Sequence, residues 1–188
     1  MAPNNLSRKC STVPRDVLSV VAKLKIETRI VLSITANAID VNSVTAAVRD
    51  LHAGAVVLFL GTVREFTGER QTSSLDYEAF EEMALVSLRQ ITDEAKNRWS
   101  LVKSAVVHRT GPLELGDIAV AVAVSSAHRG PAFEAGQWIM DTIKQQTPIW
   151  KKEIYADGRT EWIHPQDGAP GSKSCAPDVI TTSTKGNN

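Results

Sequence analysis

Residues 118–163 read IAVAVAVSSAHRGPAFEAGQWIMDTIKQQTPIWKKEIYADGRTEWI. Ile118 to Val124 is an unbroken apolar run, the signature of a buried strand. Gly130-Pro131 follows, and the pattern predicts a helix with proline at its first position, where the missing N–H costs nothing. Phe133, Gln137, Met140 and Lys144 share one stripe of that helix, flanked by Gly136, Ile139 and Ile143. It must stop before Pro148, because proline pushes Thr147 out of the helical region. Ile149–Tyr155 and Thr160–Ile163 then read as two strands joined at Asp157-Gly158, a pair that tolerates the positive φ of a tight hairpin turn. Strand, helix and hairpin in this order define an α/β domain with a mixed sheet and a C-terminal antiparallel hairpin.

The same reading extends toward the N-terminus. Residues 30–36 alternate as a strand. Asp40 is a candidate N-cap for a helix carrying Val41, Val44, Val48 and Leu51, with Gly54 as its stop. Ala55 to Leu60 reads as a strand buried on both faces, leading through Gly61-Thr62-Val63-Arg64 into a polar loop over 65–72. Leu75, Tyr77 and Ala79 alternate in a further strand, and a long helix is predicted over about 81–98. Lys103 to His108 is another strand, and Gly111-Pro112 and Gly116-Asp117 punctuate the connection to the next.

Composition bounds the function. The 188 residues suffice for one domain, 30–164, between two tails. Residues 1–29 are basic and read as a disordered tail. Residues 165–188 are rich in Gly, Pro, Ser and Thr and read as a flexible one. Lys+Arg 21 against Asp+Glu 21 leaves no formal charge, which weighs against a general nucleic-acid binder. No apolar run approaches the ~18 residues of a membrane span. The 2 cysteines, Cys10 and Cys175, form neither a disulfide framework nor a metal cluster, so a reducing cytoplasm is the expected setting. No zinc spacing, Walker loop, G-x-G-x-x-G or G-x-S-x-G is present.

Three polar clusters adjoin the scaffold. Ser125-Ser126-Ala127-His128-Arg129-Gly130 stands where a buried strand gives way to a helix N-terminus, a setting that favours anions. Lys144 and the run Thr147-Pro148-Ile149-Trp150-Lys151-Lys152-Glu153 form the second, with Lys151 and Glu153 on one face of a strand and Lys152 on the other. Taken alone, Lys144 complements the dipole at a helix end. Arg64, beside the polar loop, is the third. The residues by themselves reach an α/β domain with basic, phosphate-friendly loops, open to a phosphate- or nucleotide-binding role.

Four segments in this order carry a resemblance: Phe59-Leu60-Gly61-Thr62-Val63-Arg64, Leu75-Asp76-Tyr77-Glu78-Ala79, Val124-Ser125-Ser126-Ala127-His128-Arg129 and Pro148-Ile149-Trp150-Lys151-Lys152-Glu153. Over about residues 30–163 the chain resembles the large, catalytic subunit of molybdopterin synthase. The resemblance implies an α/β hammerhead fold with an additional antiparallel β subdomain. It implies conversion of cyclic pyranopterin monophosphate (precursor Z) to molybdopterin. The sulfur for the dithiolene would come from the C-terminal thiocarboxylate of a ubiquitin-like small subunit, and two large subunits would form the centre of a heterotetramer. It places catalytic roles on Lys144 and Lys151. Substrate binding falls on His128, Arg129, Lys144, Lys151, Lys152, Glu153, Thr62, Val63 and Arg64. No metal or organic cofactor is implied. The rival expectation is a module that docks a ubiquitin-like tail without chemistry.

Overall fold

The computed structural model describes residues 30–163. The two tails expected at 1–29 and 165–188 lie outside the described residues. Nine strands and three helices follow one another as β1 (Ile30–Thr35), α1 (Val41–Val48), β2 (Ala55–Thr62), β3 (Phe66–Thr67), β4 (Arg70–Ala79), α2 (Glu81–Trp99), β5 (Lys103–Arg109), β6 (Gly111–Glu114), β7 (Ile118–Ser126), α3 (Arg129–Gln146), β8 (Ile149–Tyr155) and β9 (Thr160–Ile163). No helix among them is long and apolar enough to cross a membrane.

The strands make two sheets. The first has the order β1-β5-β7-β2, with β1 parallel to β5 and the other pairs antiparallel. In the central strand β7 the sequence alternates Val and Ala for a packing reason. Val120, Val122 and Val124 face α2 and α3, where they meet Leu88, Ile91, Ala135 and Ile139. Ala121 and Ala123 face α1, whose Val44 and Val48 press close to the sheet. The small residue on one face lets a short helix approach, while the larger one fills the space under two long helices. The second sheet runs β3-β4-β8-β9, with β6 also paired to β4. Val63, Leu75, Leu113 and Ala119 form a small core that joins the two sheets.

Several local expectations hold. Asp40 caps α1 by accepting from the Asn42 N–H at 3.0 Å. Thr147 ends α3 in an extended conformation before Pro148. Gly158, at φ 82, turns the β8–β9 hairpin.

Others need correction. Helix α1 ends at Val48 with Arg49 as its cap, so Gly54 does not stop it. Gly54 is instead a close-approach residue: a Cβ there would lie 2.5 Å from the carbonyl oxygen of Ala127. Strand β2 is not buried on both faces. It forms an edge of its sheet, and Val56 and Phe59 are each 40% exposed; an apolar run does not distinguish a central strand from an edge. The strand buried on both faces is β7. The polar stretch 65–72 is not a loop but a hairpin, β3–β4, turning at Gly68 with φ 63. The connection after β5 contains a further strand, β6. Helix α3 starts at Arg129, two residues before the expected start, so Pro131 is its third residue. Its lack of an N–H is still harmless there, since the first four N–H groups of a helix have no intrahelical partner.

Candidate active site

A cavity of about 740 Å³ opens between the two sheets and the C-terminal half of α3. Strand β2 supplies Phe59, Gly61 and Thr62, and Arg64 follows just beyond it. Gly61 is required by a close approach, because a Cβ there would stand 2.7 Å from Val120 Cγ1. The last turns of α3 supply Met140, Asp141, Ile143 and Lys144, and β8 supplies Lys151 and Glu153. The extended exit after Thr147 turns the chain straight from α3 into β8, which brings two lysines seven residues apart onto one cavity wall.

Lys151 and Glu153 share the inner face of β8, as their spacing predicts. Lys151 Nζ lies 3.2 Å from Glu153 Oε1. The same oxygen accepts from Thr67 Oγ1 at 3.1 Å, and Oε2 accepts from the Tyr155 hydroxyl at 2.9 Å. Glu153 is 2% exposed. Burial pushes its carboxyl up, but the charge of Lys151 and the hydrogen bonds from Tyr155, Lys151 and Thr67 outweigh that and hold it below the ordinary carboxylate value. Glu153 is thus ionised and fixes where Lys151 points. Tyr155 also stands 3.0 Å from Glu161, which Arg70 pairs at 2.8 Å. Burial, with the bonds to Glu153 and Glu161 adding to it, raises the Tyr155 hydroxyl to about 12. Lys144 and Arg64 make no salt bridge among the described residues. They are exposed and border the cavity.

Not every residue singled out in the sequence reaches this cavity. Thr62, Arg64, Lys144, Lys151 and Glu153 do. Val63 is 3% exposed and turns into the core between the sheets; its backbone N–H donates to Asp117 O at 2.9 Å. Lys152 lies on the outer face of β8, its Nζ 5.6 Å from the Trp162 ring centroid. His128 and Arg129 are exposed at the start of α3, and neither lines the cavity. Helix α3 is unbroken from Arg129 to Gln146, so Arg129 and Lys144 stand roughly 22 Å apart along its axis at ~1.5 Å per residue.

The sequence reading missed Tyr77 and His108, both in the cavity wall. They come from β4 and β5 and meet edge to face, with centroids 5.1 Å apart at 68°. No local spacing signals this pair; only the packing of the second sheet against the first creates it. Among the described residues no group of three metal-ligating side chains comes together.

A mixed α/β fold, with a cavity bordered by Lys144 at a helix end and Arg64 beyond a strand end, has the form of an enzyme cleft rather than of a flat docking face. Residues 34–146 match the family described as "MoaE protein", and the chain belongs to that family. A molybdopterin synthase catalytic subunit from Bacillus subtilis (strain 168) is 42% identical over 146 residues, 78% of this chain and 92% of that protein. One from Staphylococcus carnosus (strain TM300) is 50% identical over 117 residues, 62% of this chain and 77% of that protein. The crystal structure of molybdopterin synthase from Staphylococcus aureus superposes with a TM-score of 0.66 at 42% identity, covering 69% of this chain and 94% of that one.

Proposed function

We propose that the chain is the catalytic subunit of a molybdopterin synthase. In this reading it converts cyclic pyranopterin monophosphate to molybdopterin in the cytoplasm. The sulfur comes from the thiocarboxylated C-terminus of a ubiquitin-like small subunit. The observation that carries the reading is the meeting of Lys144 and Lys151, from different elements, in one cavity with Arg64.

The chemistry follows from charge. The cyclic phosphate and the thiocarboxylate are both anions, and confining them together costs repulsion that the three cations offset. The thiocarboxylate sulfur bonds to a carbon of the pterin side chain, which moves negative charge onto oxygen. Water then cleaves the acyl–sulfur bond, so the sulfur stays on the pterin and the donor tail departs as a carboxylate, once for each of the two sulfurs. Cations fixed beforehand in a partly desolvated cavity stabilise that charge more than water does. Glu153 prepares Lys151 for this by holding its ammonium in place. Lys144, with no ion pair among the described residues, borders the cavity and is available to substrate. Thr62 borders the same space.

His128 and Arg129 need a second copy of the chain. One precursor molecule does not span the roughly 22 Å between Arg129 and Lys144. In a central dimer of large subunits, the start of α3 in one copy would complete the cavity of the other. Mixing Arg129→Ala chains with Lys144→Ala chains tests this directly. Mixed dimers should regain activity at one site, and no regain would sink the shared-site arrangement.

The proposed function is tested by combining the purified chain, cyclic pyranopterin monophosphate and a thiocarboxylated small subunit. Molybdopterin should form with the wild type and not with Lys144→Ala, while both chains still assemble with the partner. A complex that assembles without product would mark the chain as a docking module instead.

A further inference from the structure

His108, next to last in β5, is 5% exposed and contributes to the cavity wall. Its Nδ1 stands 2.9 Å from the carbonyl oxygen of Arg109. A carbonyl oxygen only accepts, so Nδ1 carries the hydrogen and the neutral ring leaves Nε2 bare. Nε2 has no protein partner among the described residues. With His108 in the cavity wall and its Nδ1 turned to the Arg109 backbone, Nε2 is the ring nitrogen left for what the cavity holds. Burial pulls the imidazole pKa down to about 4, against the smaller upward effect of the Arg109 carbonyl, so the ring is uncharged at neutral pH. Tyr77 fixes the ring plane by its edge-to-face contact. In the β4–β8 register Tyr77 lies opposite Lys151.

The cavity wall carries an acceptor on a buried side chain, His108 Nε2. The oxygens of Glu153 already accept from Thr67, Lys151 and Tyr155, while Asp141 and Gln145, which also line the cavity, are exposed. A reduced pterin presents several ring N–H groups, and each needs an acceptor once water is displaced. Phe59, Met140 and Ile143 give the flat ring an apolar wall. We propose that Nε2 of His108 recognises the heterocycle of the substrate by accepting a hydrogen bond from a ring N–H, which orients the phosphate end toward Lys144, Lys151 and Arg64. This assignment rests on the function proposed above and adds a specificity-determining residue to it.

The test uses the complex of the full chain with its thiocarboxylated partner, and cyclic pyranopterin monophosphate as the probe. His108→Phe keeps a ring beside Tyr77 without either nitrogen. His108→Asn keeps a donor near Nδ1 without Nε2. His108→Gln places a polar atom near Nε2. The Phe and Asn variants should raise KM and the directly measured Kd on the order of tenfold, with kcat within about twofold, and Gln should recover most of the affinity. Unchanged affinity in Phe and Asn, with an active wild type, overturns the assignment. So does an equal loss in all three variants, which would make His108 purely structural. A wild-type complex that neither binds nor converts the pterin overturns the proposed function, and this assignment with it, so the two failures are distinct.

Discussion

Replacing Glu153 by Gln keeps the side chain's shape and removes its charge. In the native protein three donors converge on this carboxylate, from Lys151 at 3.2 Å, Thr67 at 3.1 Å and Tyr155 at 2.9 Å. A Gln amide offers one acceptor oxygen in place of two, so at least one donor loses its partner. A charge-assisted hydrogen bond contributes ~1.5–3 kcal/mol. The larger penalty of ~3–5 kcal/mol for a fully buried broken pair does not apply, because Lys151, 28% exposed, can turn its ammonium to water. One effect works the other way. Glu153 lies opposite Glu161 in the β8–β9 register, and the single Tyr155 hydroxyl proton serves both carboxylates, so removing one charge relieves repulsion. The expected net loss is about 2 kcal/mol, or roughly 8 °C in Tm for a domain of this size. The pH dependence has a definite sign. Glu153 is held below its ordinary 4.5, so its contribution is complete above that value and is lost as pH falls through the native pKa. Urea unfolding of wild type and Glu153→Gln from pH 7 to pH 3 should therefore show a constant gap down to about pH 5 that closes at lower pH. Equal stability at pH 7, or a gap that persists undiminished at pH 3, would refute the reasoning.

His108 predicts a second slope at higher pH. Its native pKa of about 4 lies below the ordinary 6.5, so stability falls as pH drops between those values, by ~1.4 kcal/mol per unit at most. The wild-type-minus-His108→Phe difference should isolate that slope in urea titrations. Gly54→Ala should cost ~1–3 kcal/mol, because the new Cβ would meet a backbone oxygen, Ala127 O, at 2.5 Å. Gly136→Ala should instead gain ~0.5–1 kcal/mol of helix propensity, since its Cβ would sit 3.6 Å from Val57 Cγ1, an ordinary contact; thermal melts compare the two. Lys144→Ala should lower turnover ~10²–10³-fold while leaving unfolding free energy within ~0.5 kcal/mol, because the side chain is exposed.

The elements legible in the sequence were those whose cause is local. Asp40 before Val41, Thr147 before Pro148 and Asp157-Gly158 each act through their own backbone, and each does in the structure what its chemistry demands. Lys151 and Glu153 were legible as a pair because strand spacing alone puts i and i+2 on one face. What stayed hidden depends on distant chain segments. The edge position of β2 is decided by β7, and the hairpin at 65–72 extends a strand, β4, that β8 holds in place. Lys144 read alone as a dipole-complementing lysine; only the turn into β8 gives it a cavity to face. Tyr77 and His108 carried no signal, since their contact exists only where two sheets meet.

In the first sheet the inner strands come later in the chain than the outer ones. Among the described residues β1 pairs only with β5 and β2 only with β7, although both outer strands precede both inner ones in the chain. On the ribosome, the partners that β1 and β2 have among the described residues exist only once β5 and β7, within residues 103–126, have been made. At ~5–20 residues per second, the stretch from Thr62 to Ser126 takes about 3–13 s to synthesise. For that interval Val56, Val57, Leu58 and Phe59 form an unpaired apolar ribbon on a growing chain. Yield in the cell should therefore respond to translation speed between those points, and to chaperones that shelter a nascent strand, in proteins whose finished folds are equally stable.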